Sequence, residues 1–570
     1  MAKAYANHLI PLQPWELDAS AASGLTISQL RFTLSFFLSI PVAIVLRKLP
    51  TPKSRHLFSV LSGFLLLYYP FGNGVVHTVV TSALTYLFML RFRQHCGTLT
   101  WLVVFPYLIL CHVMSASGLA WKEGAIDFSG AQMVATLKLI AVAMCYQDGL
   151  RVVAASKGDS DAGTATAQRS QGQQQGNHHH HHHEKPAHDS SGSGSSRLKG
   201  YSLAKALHRM PSPLEFFSYV FAAGNLLAGP FFEARDYFDY VDRKGDWDEK
   251  DPRNRIPSPL LPGLQRLIKG IVFALVWSKL SATLNPQLME SAWWGSLPVW
   301  RRMVMMWVVG FVSRCKYYFA WAVAESGLIF SGLCFEGYAE RPNGKLKPRW
   351  TRYINSRIRR VEFSTSATEL VQNWNICTGI WLRYYVYERL TPPGRRPTFR
   401  TVVVTQTVSG IWHGLFPGYW LFFVSSAFML ESSKVLYRYE QGWAPRLRKF
   451  PLWTALKVVY SAYTLNYCAA AFQILTFKES FEVWRSVYFS GHILMLAVLM
   501  VGAALPPKKR HHGAAAAKPE RVLNGTPADA AAAAAGVNLG ADGEAAAVGA
   551  AAGEPVAGGP RQGQSLKKEE

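Results

Sequence analysis

The amino-acid sequence predicts an all-α, polytopic membrane protein. Three observations carry that prediction. Apolar runs of membrane-spanning length recur from about residue 28 to about residue 505. Hydrophobic residues fill 49% and aromatic residues 13% of the 570 positions, more than one ordinary soluble core requires. Basic residues gather in the short loops between apolar runs, the bias that sets orientation across a bilayer. A mean hydropathy of only +0.06 reflects dilution by two polar segments.

In the N-terminal part the apolar runs fall at about 28–46, 57–71, 75–90, 99–117 and 131–147. The first 25 residues have no basic segment followed by an apolar one, so the first span is expected to act as its own targeting signal. Arg47, Lys48, Lys53 and Arg55 follow the first run, and Arg91 and Arg93 follow the third, whereas the loop at Lys122-Glu123-Gly124-Ala125-Ile126-Asp127 is slightly acidic. This alternation places the N-terminus in the lumen and the segment after the fifth run in the cytosol. That segment, about 155–198, is rich in Gln, Ser, Gly and Ala, includes His178 to His183, and cannot bury a core. A low-complexity expansion or a tag accounts for the histidine run more simply than a metal site.

The stretch Phe216 to Glu233 is short for a crossing and is broken by Gly229-Pro230. Basic residues flank it on both sides, so a re-entrant segment fits it best. Further apolar runs lie at about 264–283, 299–313 and 318–335, ahead of a strongly basic amphipathic stretch from Arg341 to Arg360. If all three runs cross, that basic stretch faces the lumen, so at least one is expected to be re-entrant or interfacial. Runs at about 453–475 and 486–505 finish the membrane part, and Lys508, Lys509 and Arg510 stop it. The Ala- and Gly-rich tail ends Lys567-Lys568-Glu569-Glu570, which looks like a dilysine retrieval signal of endoplasmic-reticulum membrane proteins and agrees with a cytosolic C-terminus. The expected organisation is therefore 1–150, N-terminal membrane helices; 151–199, a disordered cytosolic insert; 200–505, a catalytic membrane core; and 506–570, a disordered tail.

The net charge of +24 follows from the basic loops meeting anionic lipid, and no nucleic-acid-binding module is recognisable. The cysteines Cys96, Cys111, Cys145, Cys315, Cys334, Cys377 and Cys468 are odd in number and lack C-x-x-C spacing, so they read as small core residues. Glu325, Glu336 and Glu431 lie in or near apolar runs and are expected to be structural partners of nearby Arg or Trp side chains.

Two polar features stand out inside the apolar chain. His413 is a lone titratable side chain within the membrane-length stretch Val408 to Val424, flanked by Gly410, Gly414 and Gly418 at four-residue spacing. An ionisable group at membrane depth marks function by default, although a helix-packing histidine is the plainer alternative. The glycines predict a bare helical face with room for something long and thin, or for a close neighbouring helix. Upstream, a helix through Val371 to Arg389 sets Asn375, Thr378, Gly379 and Leu382 on one face, with Trp374, Trp381 and Tyr385 on adjoining faces. Such a stripe lines a wet cavity, or belongs to an interfacial aromatic belt. Arg383, Arg389, Arg395, Arg396 and Arg400 form a basic rim open to phosphates or to simple positive-inside bias.

Trp374-Asn375-Ile376 with Trp381-Leu382, Tyr385-Val386-Tyr387 and Arg389, followed by Trp412-His413-Gly414 and Pro417-Gly418-Tyr419, resembles the membrane-bound O-acyltransferase (MBOAT) family. Within it, the pattern is most similar to the lysophospholipid acyltransferases. The segment around Gly224, Asn225, Gly229 and Pro230 is similar to an upstream motif of that branch, and Phe428-Met429-Leu430-Glu431 also fits. The likeness covers about 200–500 well and the N-terminal runs only in general character. It implies the MBOAT fold, with roughly 9–11 membrane helices and re-entrant segments around an intramembrane catalytic chamber. It also implies transfer of a fatty acyl group from acyl-coenzyme A, a co-substrate, to the free hydroxyl of a lysophospholipid, with no cofactor. His413 would be the general base, and Asn375 would orient the acceptor or donate to the oxyanion. Trp374, Thr378, Trp381, Arg383, Tyr385, Trp412 and Gly414 would contact substrate. No metal is implied, because Phe416 and Pro417 stand where a second helical ligand to His413 would be. No G-x-S-x-G elbow for a covalent acyl-serine occurs. The alternatives are a sterol, diacylglycerol or protein acceptor within the family, or a transporter, which would need internal repeats and a path of charges that the chain lacks.

Overall fold

The chain winds through a succession of long apolar helices whose starts are written locally. Helix α1, Pro14–Ser23, precedes α2, Ile27–Lys48, whose N-cap Thr26 accepts from the Gln29 amide while Gln29 reaches back to the Thr26 amide. Thr51 caps α3, Pro52–Phe71, with proline at its first position. Next come α4, Val75–Arg91, α5, Cys96–Ser115, and α6, Ser129–Gln171. The computed structural model describes residues 8–115, 126–171, 200–222, 225–251, 254–341, 343–391, 395, 397–442 and 450–505, all within one compact unit. The histidine run, Gly224, Arg396, the acidic loop through Ala125 and the tail with its two lysines lie outside them. Helix α6 runs on to Gln171, past residue 155 where the polar insert begins. An existing helix needs no new nucleus, so Ala- and Gln-rich sequence simply extends it.

Short helices α7, Pro213–Val220, and α8, Ala234–Asp242, bracket the Gly229-Pro230 break. Ser212 and Glu215 form the capping box of α7, and the Arg209 guanidinium holds the Glu215 carboxyl down at about 2. The intervening turn is tied to α6 by the fully buried Lys138, whose Nζ donates to the Val220 carbonyl at 3.1 Å and to Asn225 Oδ1 at 3.2 Å. One backbone carbonyl and one side-chain amide thus anchor this short segment to α6.

Helix α9, Leu260–Leu280, buries only Gly263 and Gly270. These two glycines let it lie against α10, Val299–Ser331: a Cβ on Gly263 would sit 2.8 Å from the Phe330 ring, and one on Gly270 3.2 Å from Ala322 Cβ. Helix α10 joins two of the apolar runs. The apolar runs at 299–313 and 318–335 are one helix of 33 residues, about 50 Å long. The interruption in the sequence comes from Arg314 and Lys316, and Arg314 is turned inward to pair with Glu362 at 2.7 Å and Asn466 at 2.6 Å. The residue after α10, Gly332, lies beside α2: a Cβ there would sit 3.9 Å from Arg47 Cδ. The basic stretch Arg341–Arg360 begins in the turn of a small hairpin, β1 Tyr338–Glu340 against β2 Leu346–Pro348.

Apart from a few helical segments of six residues or fewer, the chain continues as α11, Ala367–Asn373; α12, Ile376–Leu382; α13, Phe399–His413; α14, Pro417–Gly442; α15, Pro451–Ile474; α16, Phe477–Ser486; and α17, Ser490–Ala504. Among the described residues, five helical segments are long and apolar enough to cross a membrane, and a sixth if α16 and α17, bent by 73°, count as one. One buried apolar cluster joins the N-terminal helices to Trp381, Tyr385 and Trp412, and a second joins Met306, Met429 and Tyr467 in the C-terminal part. The seven cysteines are all buried and free. Glu325 pairs with Arg266 at 3.1 Å, Glu336 with Arg349 at 3.8 Å and Glu431 with Lys434 at 2.7 Å, structural partnerships in which a lysine stands once for the expected arginine.

Candidate active site

A cavity of about 500 Å³ lies among α10, α12, α13, α14 and α15. Asn375 and His413, thirty-eight residues apart in the chain, both line it, together with Trp374, Thr378, Gly379 and Leu382. The polar stripe expected on one face of α12 therefore faces a chamber. Thr405, Gln406 and Ser409 of α13 continue its polar wall, and Lys316 and Tyr317 of α10 bound it opposite.

Asn375 caps α12 in a left-handed conformation, φ 46° and ψ 49°, which asparagine accepts more readily than other residues bearing a Cβ. Its side-chain polarity is set by a neighbour. Asn355 Oδ1 accepts from the Cys377 amide at 3.1 Å, so the other end of the Asn355 amide donates, from Nδ2 to Asn375 Oδ1 at 3.1 Å. The Asn355 carbonyl accepts from the Ile376 amide at 2.9 Å, and its own N–H donates to Glu325 Oε1 at 2.7 Å. Since Oδ1 of Asn375 is the accepting end, its NH₂ group has no hydrogen-bond acceptor among the described residues, and the side chain it belongs to borders the chamber. Asn355 gives no sign in the sequence: it sits outside any apolar periodicity, in the basic stretch, twenty positions before its partner.

His413 is the last residue of α13. Gly414 follows at φ 128°, a value that suits glycine, and Pro417 opens α14, so the chain breaks directly after the imidazole. The ring is walled by aromatics, with centroids 5.0 Å from Phe472, 5.6 Å from Phe423 and 5.7 Å from Tyr419. Among the described residues none hydrogen-bonds to it, which leaves a ring nitrogen able to accept a proton. The end of α13 is held from behind: buried His112 of α5 donates from Nε2 to the Trp412 carbonyl at 3.1 Å, and the Trp412 indole donates to the Met133 carbonyl at 3.0 Å. His112 carries no sequence signal beyond being a polar residue in an apolar run.

The stretch Val408–Val424 is thus two helices and a break, so its glycines do not share one helical face, and of the two uses expected for them the structure shows close packing. Gly410 packs against Phe423, where a Cβ would stand 3.1 Å away, and Gly418 packs against α15, where a Cβ would stand 2.2 Å from the Ala471 carbonyl oxygen. The glycines admit protein, not an acyl chain. Gly418→Ala is accordingly expected to destabilise the fold by about 1–3 kcal/mol, because backbone rather than a side chain must give way; thermal unfolding in detergent measures it.

Five of the residues expected to contact substrate do not line this cavity. Trp381 faces α6 and donates to the Leu137 carbonyl at 3.0 Å. Tyr385 donates to Glu233 Oε2 at 2.7 Å. Arg383 pairs with Glu388 at 2.9 Å. Trp412 and Gly414 support the helix end just described. These aromatics are buried with their polar atoms satisfied inside the protein, which the sequence pattern alone does not separate from a cavity lining.

The chain's residues 113–499 match the family described as MBOAT, membrane-bound O-acyltransferase family. It is 34% identical over 496 residues to lysophospholipid acyltransferase 1 of Arabidopsis thaliana, covering 85% of this chain and 96% of that protein. Identity to the lysophospholipid acyltransferase of Schizosaccharomyces pombe is 28%, covering 85% of this chain and 87% of that protein. It is 26% to human membrane-bound glycerophospholipid O-acyltransferase 2, covering 85% of this chain and 86% of that protein. The chain belongs to the membrane-bound O-acyltransferase family.

Proposed function

We propose that the protein transfers a fatty acyl group from acyl-coenzyme A to the free hydroxyl of a lysophospholipid, with His413 as general base and Asn375 as oxyanion donor. The observation that carries the mechanism is the convergence of these two side chains on one chamber. The names of the relatives support the acceptor class, and the aromatic and aliphatic walls suit acyl chains.

The chemistry needs few parts, because a thioester is already activated. The acceptor oxygen attacks the thioester carbonyl carbon and its proton passes to the neutral imidazole. The carbonyl oxygen becomes an oxyanion, to which the Asn375 NH₂ donates. The carbon–sulfur bond then breaks, and the departing sulfur takes the proton back from the imidazolium. The products are the diacyl phospholipid and free coenzyme A, with no cofactor consumed. Water, a competing nucleophile, is limited by the apolar walls.

Microsomes expressing the chain, given labelled acyl-coenzyme A and a panel of lysophospholipids, are expected to incorporate label into phospholipid. Incorporation into sterol, diacylglycerol or protein alone would contradict the acceptor assignment. The basic loops support a cytosolic placement of the segment after residue 505. The sequon Asn524-Gly525-Thr526 tests that orientation: it is expected to stay unglycosylated, and a glycan there would place the tail in the lumen.

A further inference from the structure

A second pocket, also about 500 Å³, lies at the turn between α2 and α3 and shares no lining residue with the chamber. We infer that this pocket binds the phosphate of a membrane phospholipid, as a site separate from the chamber; the inference does not depend on the acceptor proposed above.

Arg47, Lys48, Arg55 and Arg243 line the pocket, and Glu249 is the one carboxylate among its described lining residues. Apart from the Arg243–Glu249 pair, the guanidinium groups are held by neutral carbonyls. Arg55 donates to the carbonyls of Leu49 at 2.9 Å, Pro50 at 3.1 Å and Val241. Arg47 Nη2 donates to the Ile256 and Pro257 carbonyls, each at 3.4 Å, and Arg243 Nη2 donates to the Arg47 carbonyl at 2.9 Å. Carbonyls orient a guanidinium but do not cancel its charge. Glu249 stands 3.6 Å from Arg243 Nη1, and that buried nitrogen has no hydrogen-bond partner among the described residues. Like charges fixed this close repel one another, and an anion placed between them relieves the repulsion. Phosphate matches that need best, since its several oxygens accept from several guanidinium and ammonium donors together.

The surroundings select a lipid over a soluble phosphate. Ile44, Leu260 and Phe330 form the apolar part of the pocket wall. Beyond it Leu260 and Leu261 are 65% and 64% exposed, and the exposed stripe continues along α9 through Leu264 and Ile268. The pocket sits where α2 ends and α9 begins, at the boundary between apolar helix and basic loop. A phospholipid with its headgroup in the pocket lays its chains along that stripe, and basic pockets at such boundaries are where anionic headgroups bind.

The test titrates the full-length protein, in an uncharged detergent, with short-chain phosphatidic acid and, separately, with coenzyme A. Lys48, whose side chain makes no hydrogen bond to the described residues, supplies the safest variant, Lys48→Gln; Arg243→Gln is the second. Each is expected to weaken phosphatidic acid binding about fivefold, with unfolding temperature unchanged for Lys48→Gln. Lys345→Gln and Lys347→Gln, in the hairpin away from the pocket, are expected to leave binding within twofold. Equal losses from the hairpin variants would reduce the effect to general surface charge and overturn the site. Binding of coenzyme A that falls with Lys48→Gln while phosphatidic acid binding does not would assign the pocket to a soluble phosphate ester and overturn the lipid.

Discussion

Replacing His413 by alanine is expected to lower acyl transfer by about 10²–10⁴-fold, the range for a positioned general base, while the protein still inserts and folds. The expectation of a folded variant rests on geometry. The ring has no hydrogen bond to the described residues, so its removal orphans no buried donor or acceptor. What is lost is contact with Phe472, Phe423 and Tyr419, and aromatic pairs of this kind contribute about 0.5–1.5 kcal/mol. The helix end stays in place because His112 and Met133 hold Trp412, not His413. Initial rates on purified protein, paired with an unfolding temperature, separate the two effects. Full turnover by a folded His413→Ala protein would remove the base from the mechanism.

Asn375 should matter nearly as much, and its hydrogen-bond polarity makes the test sharper than a simple truncation. Asn375→Gly preserves the left-handed backbone and removes the amide, and is expected to cost about 10²–10³-fold in turnover. Asn375→Asp keeps an acceptor for Asn355 Nδ2 but has no NH₂ to offer the oxyanion. Equal losses in the two variants identify donation as the role of Asn375. Near-normal turnover in Asn375→Asp would mean that the side chain matters only as the partner of Asn355. Asn355→Ala removes the acceptor of the Cys377 amide and the group that fixes the Asn375 amide, so its loss of turnover should come with a lower unfolding temperature.

Much of this arrangement was legible in the sequence because membrane insertion writes itself in long apolar runs and basic loops. The helices Ile27–Lys48 to Cys96–Ser115 fall within a few residues of their predicted spans, and the stripe Asn375, Thr378, Gly379 and Leu382 does share one face. The misjudged parts share a physical cause: the same residue type serves opposite purposes at short range. Arg314 and Lys316 read as an interruption between spans, yet a charge paired within the protein lets one helix continue. Gly410 and Gly418 read as clearance for a substrate or for a neighbouring helix, and only the fold decides for the helix. Trp381 and Tyr385 read as cavity lining, yet a buried aromatic with its polar atom satisfied packs two helices together. Asn355 and His112 were silent, because each acts through a partner brought near only by the fold.

The most direct test of the account is a product balance on purified protein reconstituted in neutral lipid, with acyl-coenzyme A and a lysophospholipid as the two substrates. Free coenzyme A thiol and new diacyl phospholipid are expected in equal amounts, and both are expected to fall together by about 10²–10⁴-fold in His413→Ala. Thiol release without phospholipid, or unchanged phospholipid formation in a folded His413→Ala protein, would contradict it.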